Sequence, residues 1–189
     1  RPVRVIAGQA PGGGNDIQTR LFAQKLSEAF GRSFVVENRT GAGSVLSYRT
    51  VASAPPDGYM LLAVSGGFTI VPSVYSNLGY DPVKDLAPIS LVVRSPFLLM
   101  THPSLPVRSV KEFIALARRS PGALTYGSAG QGSSTHMAFA LFTTLAKIDV
   151  THVPYKGTGP ALIDAIGGQV HSLIGNVLSC LQYARAGKL

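Results

Sequence analysis

Apolar residues along this chain fall into short continuous runs separated by longer stretches with a helical period. Runs at Val3–Ala7, Phe34–Asn38, 60–65, 89–93, Phe97–Thr101, 124–127, 150–153 and 170–174 predict strands. Most are continuous rather than alternating, which predicts strands covered on both faces, as in a parallel sheet. Between them Ile17, Leu21, Phe22, Leu26, Ala29 and Phe30 recur at three- to four-residue spacing, as do Met137, Leu141, Phe142 and Leu145. Each set predicts a helix with one apolar face. Asn15 with Gln18, and Ser109 with Glu112, have the spacing of capping boxes. Gly159-Pro160 puts a proline at a helix start, and Pro55-Pro56-Asp57-Gly58 reads as a turn. Strands alternating with helices indicate an α/β fold. A proline-rich connection from Ser95-Pro96 to His102-Pro103 divides the chain into lobes over 1–98 and 99–189.

The pattern is duplicated. Strand 3–7, the glycine loop 8–14 and the helix from Ile17 are echoed by strand 124–126, the loop 127–132 and the helix from Met137. A second strand then follows in each half and ends on a basic residue and a Gly-x-Gly turn: Arg39 before Gly41-Ala42-Gly43, and Lys156 before Gly157-Thr158-Gly159. Two lobes that each offer a glycine loop and a helix N-terminus predict a small anion held between them.

Composition narrows the partner. The chain has 189 residues, 46% hydrophobic and 14% charged, which are values of a folded domain. Its net charge of +8, from 17 basic and 9 acidic residues, favours an anionic partner. The bases are scattered, with Arg118-Arg119 the only adjacent pair, so nucleic acid is not indicated. One cysteine, Cys180 in an apolar stretch, excludes an intrachain disulfide and a CxxC site and predicts a small buried side chain. No apolar run has transmembrane length. The sequence opens on Arg1-Pro2 and enters a strand with no signal peptide, as expected of a cytosolic protein or a mature exported form.

Two loops are the candidate site. In Ala10-Pro11-Gly12-Gly13-Gly14-Asn15-Asp16 the backbone amides of the turn and the helix dipole suit an anion. The alternative is a glycine turn capped by Asn15 or Asp16. Gly12 and Gly14 also fit the start of a dinucleotide fingerprint, with Glu37 at about the ~20-residue distance of a ribose-binding acid. Ile17 stands at the third glycine position, however, and the Asp16 carboxylate would repel a pyrophosphate. In the second loop, Ser128, Gly130, Gly132, Ser133 and Ser134 offer hydroxyls and amides to a carboxylate, or one serine caps the helix and another serves the site. Catalysis by Ser133 or Ser134 with His136 is disfavoured by their closeness in sequence and by the lack of a G-x-S-x-G elbow. His102, His152 and His171 stand isolated, and nothing suggests a metal. Arg39 and Lys156 either add charge to the cleft or are solvated surface bases.

Taken in order, these stretches resemble the substrate-binding proteins of tripartite tricarboxylate transporters, the Bug family of periplasmic receptors. The resemblance rests on Ala10 to Ile17, Val36-Glu37-Asn38-Arg39 with Gly41-Ala42-Gly43, and Pro55-Pro56-Asp57-Gly58-Tyr59. It continues through Tyr80-Asp81-Pro82-Val83-Lys84-Asp85-Leu86, Gly130-Gln131-Gly132-Ser133-Ser134 with His136, and His152 to Gly157. Gly167-Gly168-Gln169-Val170 and Ala186-Gly187-Lys188-Leu189 complete it. It implies a two-lobed, type II periplasmic-binding-protein-like α/β fold, each lobe a mostly parallel sheet flanked by helices. It implies a non-enzymatic receptor that takes a small carboxylate, di- or tricarboxylate or related, and delivers it to a membrane permease. No metal and no cofactor are implied; an NAD-type oxidoreductase built on the first loop is the alternative. The implied ligand-binding residues are Gly12, Gly13, Gly14, Asn15, Asp16, Ser65, Gly66, Ser128, Gly130, Gly132, Ser133, Ser134 and Asn176. Family members often carry an acid just before the residue matching Asn176; Gly175 stands here, which points to a ligand without an amine. The resemblance also implies further strands and helices beyond Leu189 that complete the second lobe and return to the first. Without them, apolar surface on the first lobe is expected to lie open.

Overall fold

A computed structural model describes residues 1–189. Its chain builds two sheets in succession. In the first, β1 (Val3–Ala7) lies between β2 (Phe34–Asn38) and β3 (Met60–Ala63), all parallel, in the order β2-β1-β3. The connections are α1 (Gly14–Phe30) and α2 (Val45–Ala52), and α3 (Gly67–Val74) follows β3. The second sheet has the order β4-β7-β5-β6. Here β5 (Thr125–Ser128) pairs in parallel with β6 (Thr151–Pro154) and β7 (Ser172–Asn176), while β4 (Phe97–Thr101) runs antiparallel to β7. Its helices are α4 (Val110–Arg119), α5 (Ser134–Ala146), α6 (Thr158–Ile166) and α7 (Val177–Arg185). The division expected at 98/99 falls inside β4, whose five residues all pair with β7; the change of sheet precedes Phe97.

Alternation along β7 gives the second lobe two cores. Ile174 joins Phe113, Tyr126 and Phe139 on the side covered by α4 and α5. Its neighbour Leu173 joins Met100, Leu162, Val170 and Cys180 on the side covered by α6 and α7. Cys180 is fully buried, as its apolar setting predicted. The first lobe is thinner: its largest cluster is Val45, Tyr48 and Val71, with Leu62, Phe68 and Tyr80 packed on it.

Three expectations are corrected. The run 89–93 forms no strand; Ile89 is 80% and Leu91 68% exposed. Branched apolar residues favour a strand only where a pleated surface receives them, and neither edge of the first sheet pairs with this segment. Helix α1 does not bury its most apolar face. Gly14, Asp16, Thr19 and Ala23 face inward, while Leu21, Phe22 and Phe30 are exposed. Small inward residues let α1 lie close to β2 and α7, and the buried Asp16 is held by hydrogen bonds. Helix α5 is likewise rotated: Phe139 is the buried core residue, and Leu141 and Leu145 are exposed.

Candidate functional site

All six parallel strands end at the crevice between the sheets. Loops at the carboxyl ends of parallel strands are where open α/β sheets bind ligands. Contacts between the lobes come from these loops. The Ala10 amide donates to the Lys156 carbonyl at 2.9 Å, and the Tyr75 hydroxyl to the Gln131 carbonyl at 3.2 Å. Several meetings depend on missing side chains. A Cβ on Gly159 would run into the Pro11 carbonyl, one on Gly14 into the Asn176 side chain, and one on Gly43 into the Gln131 carbonyl. Gly67 approaches Ser133 and Ser134 less closely, with a Cβ position 3.3 Å from the Ser134 nitrogen.

Five helices therefore direct their N-termini at this crevice. The starts of α1, α6 and α7 meet around Gly13, Gly14, Thr158, Gly159 and Asn176. Those of α3 and α5 meet around Gly66, Gly67 and Ser134. Each brings positive partial charge. Of these five first turns only that of α1 holds an acid, Asp16.

That acid is already engaged. Asp16 accepts from the Gly12 amide at 3.1 Å, from Asn38 at 2.8 Å and from Arg20 at 3.0 Å. Burial alone would raise its pKa; the hydrogen bonds from Arg20, Asn38 and Gly12 outweigh burial and hold the carboxyl below its ordinary value. Asp16 thus caps the first glycine turn. The expected Asn15–Gln18 capping box is absent: Gly13 is the N-cap, and Asn15 Oδ1 and Gln18 Nε2 are buried without partners. Of the Ser109–Glu112 box one half forms, with Ser109 Oγ accepting from the Glu112 amide at 3.2 Å; the Glu112 carboxylate accepts from the Arg108 amide rather than that of Ser109.

The other expected residues divide between the helix ends and one opening. The Ser65 backbone carbonyl accepts from the Phe68 amide, and Gly66 is the N-cap of α3. Ser133 caps α5 by accepting from the His136 amide at 3.2 Å, which leaves Ser134 as the serine facing Gly66. Asn176 caps α7 through the Leu178 amide and also accepts from Ser95. A cleft of about 210 Å3 opens between Gly8, the turn Gly41 to Ser44 and Tyr75 on one lobe, and Ala129 to Gln131 and Pro154 to Lys156 on the other. Of the expected ligand-binding residues only Gly130 lines it; Gly12, Gly13, Gly14, Asn15 and Asp16 do not, nor do Ser65, Gly66, Ser128, Gly132, Ser133, Ser134 and Asn176. Tyr75 and the turn at Ala42–Ser44 were not among the expected residues. The available signal was the repeated basic–Gly-x-Gly element, since both copies reach the crevice. Lys156 stands at the cleft without an ion pair, whereas Arg39 lies 3.8 Å from Glu37.

Glu37 does not offer itself to a ribose. Arg4 grips it through two hydrogen bonds of 2.5 and 2.7 Å across the β1–β2 pair. Because Gly13 and Gly159 already abut, the first glycine loop has no room for a pyrophosphate. The dinucleotide alternative is therefore set aside.

His152 is not isolated. Its ring stacks on His136 at 4.1 Å and on Tyr126 at 4.8 Å, and Tyr126 stacks on Phe139 at 3.8 Å. Residues distant in sequence thus form one column, which spacing could not disclose. Burial, aided by the neighbouring His136, pushes His152 down to about 4; burial also lowers His136. Below the ordinary histidine value near ~6.5 the unfolded chain binds protons that these rings refuse. Stability is therefore expected to fall as pH drops from about 6.5 towards about 4, where it levels off for His152. Denaturant titrations at fixed pH steps check this, and His152→Gln should flatten the slope.

Comparison with known proteins agrees with this architecture. The profile described as TctC, tripartite tricarboxylate transporter family receptor, matches residues 18–189. The chain is 34% identical to the protein BugT of Bordetella pertussis, over all of this chain and 59% of that one. Among solved structures it is similar to R. palustris Rpa4515 with adipate, at 38% identity and TM-score 0.95, covering 100% of this chain and 63% of that one. It is also similar to MatC of Rhodopseudomonas palustris with bound malate, at 33% identity and TM-score 0.92, covering 100% and 64%. The chain belongs to the tripartite tricarboxylate transporter receptor family and has a periplasmic-binding-protein-like fold. It spans about three-fifths of the length of these relatives.

Proposed function

We propose that this chain is the ligand-capturing part of a periplasmic, non-enzymatic receptor that closes on a small carboxylate without an amine and passes it to the membrane permease of a tripartite transporter. The observation that carries the reading is the convergence of five helix N-termini from both lobes, with their single first-turn acid already neutralised by Arg20, Asn38 and Gly12. Such a crevice is short of negative charge, and a carboxylate supplies it. Gly66, Gly130 and Ser134 are the proposed contacts, with Lys156 adding attraction during encounter. Adipate and malate, seen with Rpa4515 and MatC, are dicarboxylates of this kind. No helix is long and apolar enough to cross a membrane, which accords with a receptor that works beside its permease.

The amine-free class follows from Gly175. It is buried, and the space of a side chain there is taken by Cys180 Sγ and Thr158 Cγ2. With Asp16 also engaged, a ligand ammonium finds no free carboxylate among the first turns at the crevice. Malate and aspartate differ in a hydroxyl against an ammonium and so test this directly. Malate at ~100 times its dissociation constant should stabilise the fold by roughly 2.7 kcal/mol in a thermal melt. Aspartate at the same concentration should give a smaller shift. Stronger stabilisation by aspartate would overturn the amine-free class. A flat response to malate, adipate and tricarboxylates would overturn the anion reading.

A further inference from the structure

The stacked histidines end at the second loop with their polar edges turned to it. His136 Nδ1 lies 3.2 Å from the Gly132 amide nitrogen, and a nitrogen faced by an N–H must be bare, so this ring carries its proton on Nε2. His152 Nε2 lies 2.7 Å from Ser128 Oγ, and that same oxygen accepts from the Gly130 amide at 3.1 Å. The one Ser128 hydroxyl proton has two acceptors in reach, His152 Nε2 at 2.7 Å and the Gly130 carbonyl at 3.4 Å; the shorter contact assigns it to His152, which then carries its own proton on Nδ1. Gly130 and Gly132 have φ of 115° and 73°, regions that do not sustain themselves by regular backbone pairing. The His152 ring lies between His136 on α5 and Tyr126 on β5, with Ser128 at its edge, so the titratable groups that face it are the His136 ring and the Tyr126 phenol.

We propose that His136 and His152 are the positioning residues of the second loop: neutral and in opposite tautomers, they accept hydrogen bonds that fix the Gly132 and Gly130 amides, the first directly and the second through the Ser128 hydroxyl. The loop is then presented to the cleft in one conformation before a ligand arrives. Protonating His136 aims a donor at the Gly132 amide. Protonating His152 makes the Ser128 hydroxyl accept from the ring and swing its own proton towards the Gly130 carbonyl, which disturbs its bond to the Gly130 amide. Protonating both places like charges face to face at 4.1 Å. Carboxylate affinity should therefore fall on acidification. Histidines that merely supplied positive charge to an anion would make it rise.

The consequence for affinity rests on the carboxylate-receptor reading; the tautomers do not. The test takes the full chain, ¹⁵N-labelled at histidine, through NMR near neutral pH. Expected are a bare Nδ1 in His136 and a bare Nε2 in His152, and a proton on either of those nitrogens overturns the proposal. His136→Phe and His152→Phe keep a flat ring and remove the acceptor; His136→Asn and His152→Gln keep an oxygen near the lost nitrogen. Because an unsatisfied buried donor is costly, each Phe variant should bind malate at least about fivefold more weakly, with partial recovery in its amide counterpart. In H136F the Gly132 amide resonance, and in H152F that of Gly130, should shift or broaden. Unchanged amides and unchanged affinity in the Phe variants overturn the proposal. Absence of malate binding in the parent chain counts against the receptor reading instead, and the tautomers and amide shifts still decide this one.

Discussion

Gly159→Ala is expected to weaken carboxylate binding by roughly 5- to 150-fold while leaving the melting temperature of the ligand-free chain unchanged or slightly higher. Gly159 sits in the first turn of α6 in helical conformation, where alanine is intrinsically better by up to ~1 kcal/mol. Any state with the lobes apart accepts the methyl group. With the lobes together, the methyl meets the Pro11 carbonyl and presses on the Gly13 nitrogen, 3.3 Å from its position. All of these neighbours are backbone, so no rotamer change relieves the clash. Overpacking of this kind costs about 1–3 kcal/mol. A cost borne only by the closed state appears in ligand affinity and not in ligand-free stability. Calorimetric titration with malate, beside a thermal melt, separates the two. A lower melting temperature with intact affinity would mean that the lobes do not part and that these glycines serve packing alone.

The same residue shows why the fold was more legible than the site. The strand–helix alternation could be read because continuous apolar runs report burial on two faces, and seven of the eight predicted runs overlap strands. The eighth, 89–93, failed because pattern reports suitability for a sheet and not the presence of a neighbour. The glycine loops were legible as loops, but their use depended on what stands opposite. Gly159 is a feature of closure only because Pro11 faces it, and Asp16 is a cap only because Asn38 and Arg20 reach it from elsewhere. Ser133 and Ser134 looked equivalent in sequence; the first residue of α5 decides which hydroxyl turns back to cap the helix. His152 looked solitary because its partners come from elsewhere in the chain, Tyr126 and Ser128 from β5 and His136 from α5.

Phe139→Ala should be the most destabilising of these substitutions, by about 3–5 kcal/mol, or a fall in melting temperature of roughly 6–20 °C. Phe139 is fully buried where α5 meets the second sheet. It contacts Phe142 edge-on at 5.7 Å and Phe113 at 6.4 Å, and lies flat against Tyr126 at 3.8 Å. Aromatic pairs of this geometry add to the loss from removed apolar area. The cavity left behind cannot collapse easily, because β5 fixes Tyr126 on one side and α4 fixes Phe113 on another. Phe139 is also the base of the ring column that passes through Tyr126 to His152 and His136. Its removal should therefore loosen the loop at Gly130 and Gly132, and the amides of those glycines should lose hydrogen-exchange protection beyond the drop in global stability. Phe139→Leu, which refills much of the volume without a flat face, separates the two effects: stability should recover substantially, and loop protection less. Equal recovery of both would show that the column acts on the loop only through the stability of the lobe.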